Sequence, residues 1–207
     1  MKTITCYLDF ISPYAYLAFE ALPQALAGGP SYQVVYKPVL FAALLKHHGQ
    51  LGPAEIASKR VWTYRQVLWL AKQHGIALDM PQAHPFNPLS LLRLSLACDP
   101  QGLPNRYVCE VIFRHVWQGG AAADDPQRLF ALVQQLQPAR ALDAPEVKAQ
   151  LHANTQEAMA RGILACPLLP LMNTFFGASM PCPCCANTSM AMHGLPLSVG
   201  KMLKKQH

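Results

Sequence analysis

Asp9-Phe10-Ile11-Ser12-Pro13-Tyr14-Ala15-Tyr16-Leu17-Ala18 decides how this chain begins to fold. Before it, Ile4, Cys6, Leu8 and Phe10 alternate with more polar positions, the period of a short strand. Ser12-Pro13 then opens a helix: Ser can cap the first turn, and Pro at the first helical position gives up no donor the helix needs. The helix runs from Tyr14 to Leu26 and ends at Ala27-Gly28-Gly29-Pro30. Gln33 to Val39 reads as a second strand, so the first forty residues form a βαβ unit.

The next hundred residues carry helical signals. Leu44–His48 is a short helix closed by Gly49, and Ala54–His74 a long amphipathic one stopped by Gly75. Its apolar positions include Ile56, Trp62, Leu68 and Trp69. Trp62, Trp69 and Trp117 are expected in the core or in helix packing. Further helices are expected at Leu89–Cys98, Asn105–Gln118, Pro126–Leu136 and Pro145–Ala160, with start signals such as Asp124-Asp125-Pro126 and Asp143-Ala144-Pro145.

The chain has 207 residues, 52% hydrophobic and 14% charged, enough to bury a substantial core in one domain or in a domain with another inserted. No apolar run is long enough to span a membrane, and Met1 to Phe10 lacks a signal-peptide pattern, which points to the cytoplasm. The net charge of +6 does not form a nucleic-acid surface. Up to Gly162 there are 14 Lys/Arg against 11 Asp/Glu, a balance of +3, and the remaining +3 is Lys201, Lys204 and Lys205. The earlier cations are scattered, with no basic stripe interleaved with aromatics.

The opening segment resembles the start of the 2-hydroxychromene-2-carboxylate isomerases, which belong with kappa-class glutathione transferases in the DsbA-like branch of the thioredoxin superfamily. Lys37-Pro38-Val39-Leu40, Gly49-Gln50-Leu51-Gly52-Pro53, Lys59-Arg60 with Tyr64, His84-Pro85-Phe86-Asn87-Pro88 and Leu92-Arg93 continue the likeness in order. It spans about residues 3–161. It implies an α/β fold, a thioredoxin-like domain with an all-helical domain inserted after the second strand. Residues 1–40 are then the N-terminal βαβ, 41–161 mainly the inserted helices and a return helix, and 162–207 an aberrant tail.

Ser12 stands where a thioredoxin-like redox enzyme carries the first Cys of Cys-x-x-Cys. Here the four residues are Ser12-Pro13-Tyr14-Ala15, so disulfide exchange is not available. A serine hydroxyl at a helix N-terminus can donate a hydrogen bond to an anionic sulfur, and the helix dipole favours the same charge. Both lower the pKa of a bound thiol. The resemblance makes that thiol glutathione's and makes Ser12 both the catalytic and the cofactor-binding residue. The implied reaction interconverts 2-hydroxychromene-2-carboxylate and trans-o-hydroxybenzylidenepyruvate in aromatic catabolism; otherwise Ser12 is a plain helix cap.

Five residues are candidates for a small aromatic carboxylate substrate. Lys37 either meets the carboxylate or is a solvated strand end. His47 and His48 border the substrate in such proteins or are a surface pair at a helix end. His84 and Asn87 either touch the substrate or stiffen a Pro-rich loop. Cys6, Cys98 and Cys109 read as small buried apolar residues. A homodimer is implied by the resemblance.

After Gly162 the composition breaks. The tail holds four of seven Cys, five of eight Met and no acid. Cys182-Pro183-Cys184-Cys185, with Cys166 and His193, suits Zn²⁺ or Cu⁺ in ligand type but not in spacing, so no metal site is expected. A shifted reading frame accounts for the tail better. Taking the last base of each codon with the first two of the next, Met172-Asn173 must give Glu, Met180-Pro181 Ala and Cys184-Cys185 Leu. With permitted codons, Gly162–Thr188 becomes HLGVPTFAVDEHLFWGLDALPMLREY, which carries the GVPT and WGxD segments the resemblance calls for. The thioredoxin ββα part is then lost to a frameshift. The leading expectation is a glutathione-dependent isomerase; the alternatives are a kappa-class-like glutathione transferase and an inactive frameshifted remnant.

Overall fold

The computed structural model describes residues 2–163. The helical and strand grammar is met nearly element for element: β1 Lys2–Leu8, α1 Pro13–Leu26, β2 Tyr32–Pro38, α2 Phe41–His47, a 3-10 turn at Pro53–Glu55, then α3 Ala57–Gln73, α4 Leu89–Ala97, α5 Arg106–Trp117, α6 Pro126–Leu136 and α7 Pro145–Ala160. The tail reading, including the shifted frame and the Cys-rich motif, lies outside the described residues.

β1 and β2 pair in parallel, with Cys6 opposite Tyr36, Tyr7 opposite Lys37 and Leu8 opposite Pro38. The two-residue period of a strand sends Cys6, Leu8 and Tyr36 into the main core, beside Tyr16, Phe19, Leu92, Phe113 and Trp117. Tyr7 points the other way, into a smaller cluster with Val39, Leu44, Ala158 and Ile163.

Three expectations need adjusting. β1 stops at Leu8 instead of reaching Phe10. The last bond there is Val39 N–H to Leu8 O at 2.9 Å, after which Asp9 bends away from the ladder. The long helix begins at Ala57, because Ile56 is extended and the Glu55 carboxylate turns back to accept from Gly52 N–H at 2.8 Å. Trp62 and Trp69 are not core residues; they are 49% and 52% exposed. α3 buries one stripe, Thr63, Val67, Leu70 and Ala71, the last three packing with Leu17, and a helix presents the residues between such a stripe to the opposite side. Trp117 is fully buried, as expected.

Candidate active site

The turn from Asp9 to Ser12 lies at the carboxyl end of β1, where open α/β sheets place their ligands. Ser12 is the N-cap of α1, with φ −88° and ψ 115°, and its Oγ accepts from Ala15 N–H at 3.2 Å. Pro13 occupies the first turn, and no acidic residue lies there to oppose an anion. The hydroxyl is a donor as well as an acceptor. Ser12 is buried, 6% exposed, so a charge-assisted bond from it acts in a low-dielectric setting.

The turn is tied down from several elements at once. Phe10 O accepts from the Trp117 indole N–H of α5 at 3.0 Å. Ile11 O lies 2.8 Å from His84 Nε2. Asp9 Oδ1 accepts from Ile11 N–H at 3.1 Å, and Oδ2 accepts from Phe41 N–H at 2.8 Å. Ser12 N–H closes the turn on Asp9 O at 3.2 Å. Asp9 thus joins the start of α1 to the start of α2.

Asp9 has no solvent exposure, and burial pushes its carboxyl up to about 7 against the pull of its backbone donors. A carboxyl held largely neutral in mildly acid conditions adds little repulsion to an anion beside Ser12. In the sequence Asp9 is only the first residue of the opening motif, with no role of its own. Its signal was an acidic residue at the end of an apolar strand, two positions from a backbone N–H it can accept from.

Of the five substrate candidates, His84 bonds the turn and the other four have partners elsewhere. His84 joins the turn; its Nδ1 lies 2.8 Å from Tyr64 Oη, its ring rests 5.5 Å from Trp117, and burial lowers its pKa. Lys37 pairs with Glu157 of α7, which also accepts from Tyr7 Oη at 2.8 Å and meets Arg161 at 3.1 Å. The Lys37 and Tyr7 bonds hold the Glu157 carboxyl below its ordinary range. Any substrate carboxylate at Lys37 therefore competes with Glu157. His47 is exposed, while His48, its ring edge-on to His47, lies 3.3 Å from Ile163 O. Asn87 is exposed and stands just before α4, where its Oδ1 accepts from Leu89 N–H at 3.1 Å.

α7 sets the strand end behind Lys37. Asn154 donates to Pro38 O at 3.1 Å, and Thr155 Oγ1 accepts from Leu40 N–H at 3.1 Å. The three described thiols are free cysteines, and burial keeps them protonated: Cys6 is pushed up to about 12, Cys98 to about 11, and Cys109 is raised as well. Among the described residues no cluster of three or more His, Cys, Asp or Glu side chains is placed to hold a metal ion, and no helix is long and apolar enough to cross a membrane.

A parallel strand pair feeding a capped helix, with helices following β2, matches a known pattern. The family model for the DSBA-like thioredoxin domain matches residues 3–180. The chain belongs to that family. Among relatives of this DSBA-like protein, glutathione S-transferase kappa 2 of Caenorhabditis elegans is 25% identical over 200 residues, covering 86% of this chain and 87% of that one. A solved structure of a 2-hydroxychromene-2-carboxylate isomerase aligns with a TM-score of 0.68 at 21% identity, covering 80% of this chain and 83% of its own. The DsbA-like fold is therefore carried here by a mostly helical chain with a small sheet, and the relatives are enzymes.

Proposed function

We propose that this protein is a glutathione-dependent isomerase in which Ser12 holds the glutathione sulfur as a thiolate. The observation that carries the reading is Ser12 itself: a buried hydroxyl at the N-terminus of α1, at the position where redox members of the fold place a cysteine, with no acid in the first turn. These features fit an anionic sulfur, since both the hydroxyl and the helix dipole favour the charged form. Bound glutathione would supply a nucleophile that adds reversibly to a conjugated double bond, allows rotation about it, and is released unchanged. The chain's own part is to bind and orient. Ser12 donates a hydrogen bond to the sulfur and keeps its proton, the turn keeps the hydroxyl in place, and Lys37 offers a cation to a carboxylate that displaces Glu157. His47, His48 and Asn87 would frame the small aromatic carboxylate. The solved isomerase that shares this fold supports 2-hydroxychromene-2-carboxylate as the substrate to try first.

The kappa-class relative favours a second reading, conjugation of glutathione to an electrophile. Incubating the protein with 2-hydroxychromene-2-carboxylate and glutathione separates the two. Isomer exchange with glutathione recovered in full supports the isomerase, whereas a stoichiometric loss of free thiol supports the transferase. The reading frame belongs to the same proposal, because the chain lacks the GVPT and WGxD segments. Sequencing the coding DNA across codons 155–190 tests it. A one-base discrepancy that restores both segments supports the isomerase, and DNA that encodes the 207 residues as they stand favours an inactive remnant.

A further inference from the structure

One link in the turn has a second layer behind it. His84 Nε2 lies 2.8 Å from Ile11 O, the carbonyl of the peptide whose nitrogen is Ser12's. A carbonyl oxygen only accepts, so the proton of this contact sits on Nε2. In the neutral ring Nδ1 then presents a lone pair, and the Tyr64 hydroxyl, 2.8 Å away, donates to it. The opposite tautomer would direct an Nε2 lone pair at the Ile11 oxygen. Tyr64 Oη also stands 3.1 Å from His84 O, a second acceptor for its single proton, and the shorter approach is to Nδ1. Tyr64 comes from α3 and His84 from the loop before α4. Ring contacts with Tyr64 at 5.5 Å, Phe86 at 6.2 Å and Trp117 at 5.5 Å leave the imidazole little freedom to turn.

We propose that Tyr64 and His84 act as a tautomer lock: Tyr64 occupies Nδ1 and holds His84 with its proton on Nε2, and His84 in turn fixes the Ile11–Ser12 peptide that aims the Ser12 hydroxyl. Both are positioning residues, and His84 works from behind the turn, not as a substrate contact. The inference rests on the Ser12 reading for its catalytic consequence, while the lock itself is a statement about one ring and its partners. It also explains why a tyrosine on a largely exposed helix face is directed inward at a histidine twenty positions later in the chain.

The test uses the full chain and four variants, Ser12→Ala, Tyr64→Phe, His84→Ala and His84→Gln. NMR of the isotope-labelled histidine ring reads the tautomer without glutathione. The expected result is a neutral His84 with its proton on Nε2, less rigidly held in Tyr64→Phe. A proton on Nδ1 overturns the lock. Glutathione-dependent turnover reads the consequence. His84→Ala is expected to lower kcat roughly tenfold to a hundredfold with KM little changed, the scale on which misplaced catalytic groups are felt. His84→Gln restores most of it, because its amide can donate to Ile11 O. Equal losses in both His84 variants, or none in either, overturn the positioning role. If Ser12→Ala turns over as well as the parent, or the parent does not turn over at all, the Ser12 reading fails, and the ring tautomer still decides the lock.

Discussion

The Asp9–Ser12 turn and the Lys37–Glu157 rim flank the ends of the same two strands but are built on opposite principles. In the turn, Ser12 N–H closes on Asp9 O, and the other bonds run between backbone and a buried or half-buried side chain, with partners from α2, α5 and the loop before α4. At the rim, the bonds run between charged side chains that are 23% and 30% exposed. Removing a partner from the turn strands a buried polar group, which costs its full desolvation, whereas water replaces a lost partner at the rim. The turn is built to hold one geometry, and the rim can exchange its partner for a ligand.

The largest effect that would break this contrast is at Ser12. Ser12→Ala is expected to cut glutathione-dependent turnover roughly ten- to a hundredfold, the value of one charge-assisted bond, while costing only about 1 kcal/mol of stability as a lost cap. Steady-state rates and urea unfolding on the same preparation check both halves.

Next comes Trp117→Phe, which removes the indole N–H that Phe10 O accepts from and also replaces a fully buried bicycle with a smaller ring. Unfolding free energy should fall by about 2–4 kcal/mol, the unpaired carbonyl and the lost packing together. A loss as small as that of a surface change would mean that the turn is not tied through α5.

Asp9 sharpens the comparison through pH. Its folded carboxyl is raised from 3.8 to about 7, so its contribution favours the native state at low pH and is lost as pH rises through about 7. Asp9→Asn should remove that slope. Relative to the variant, the parent should lose stability between about pH 4 and pH 7, read from denaturant midpoints at a series of pH values. Parallel curves would count against a buried, shifted carboxyl.

At the rim, the double-mutant cycle of Lys37→Met and Glu157→Gln should give a coupling of about 1 kcal/mol or less, shrinking in high salt. Glu157 is held low, so the pair's contribution is present above the ordinary carboxylate range and fades as pH falls through the lowered folded value. The smallest effect is expected at Trp62 and Trp69, where single changes to Gln should shift stability by no more than about 0.5 kcal/mol.

Much of this was legible in the chain. The Ser12-Pro13 start, the capping residues Asn105 and Asp125, and Gly49 and Gly75 with φ of +65° and +64° mark their own helix ends, because caps and left-handed backbone are local requirements. What was not legible follows from partners distant in sequence. Asp9 and Phe41 are 32 residues apart, Trp117 and Phe10 are 107 apart, and Lys37 and Glu157 are 120 apart. The two exposed tryptophans of α3 were misjudged for the same reason, since hydrophobicity says that a residue prefers burial but not which stripe of a helix finds a neighbour.

The βαβ start, the helical middle and the serine that caps α1 could be read from the chain, because each is written in nearest-neighbour chemistry: period, caps and residue identity. It took packing to bring Asp9, His84 and Trp117 together on the turn before Ser12, to stand Tyr64 behind His84, and to pair Lys37 with Glu157. Those outcomes depend on which buried polar groups meet once the helices close over the strands, and a buried donor or acceptor must find its partner wherever the packing puts one.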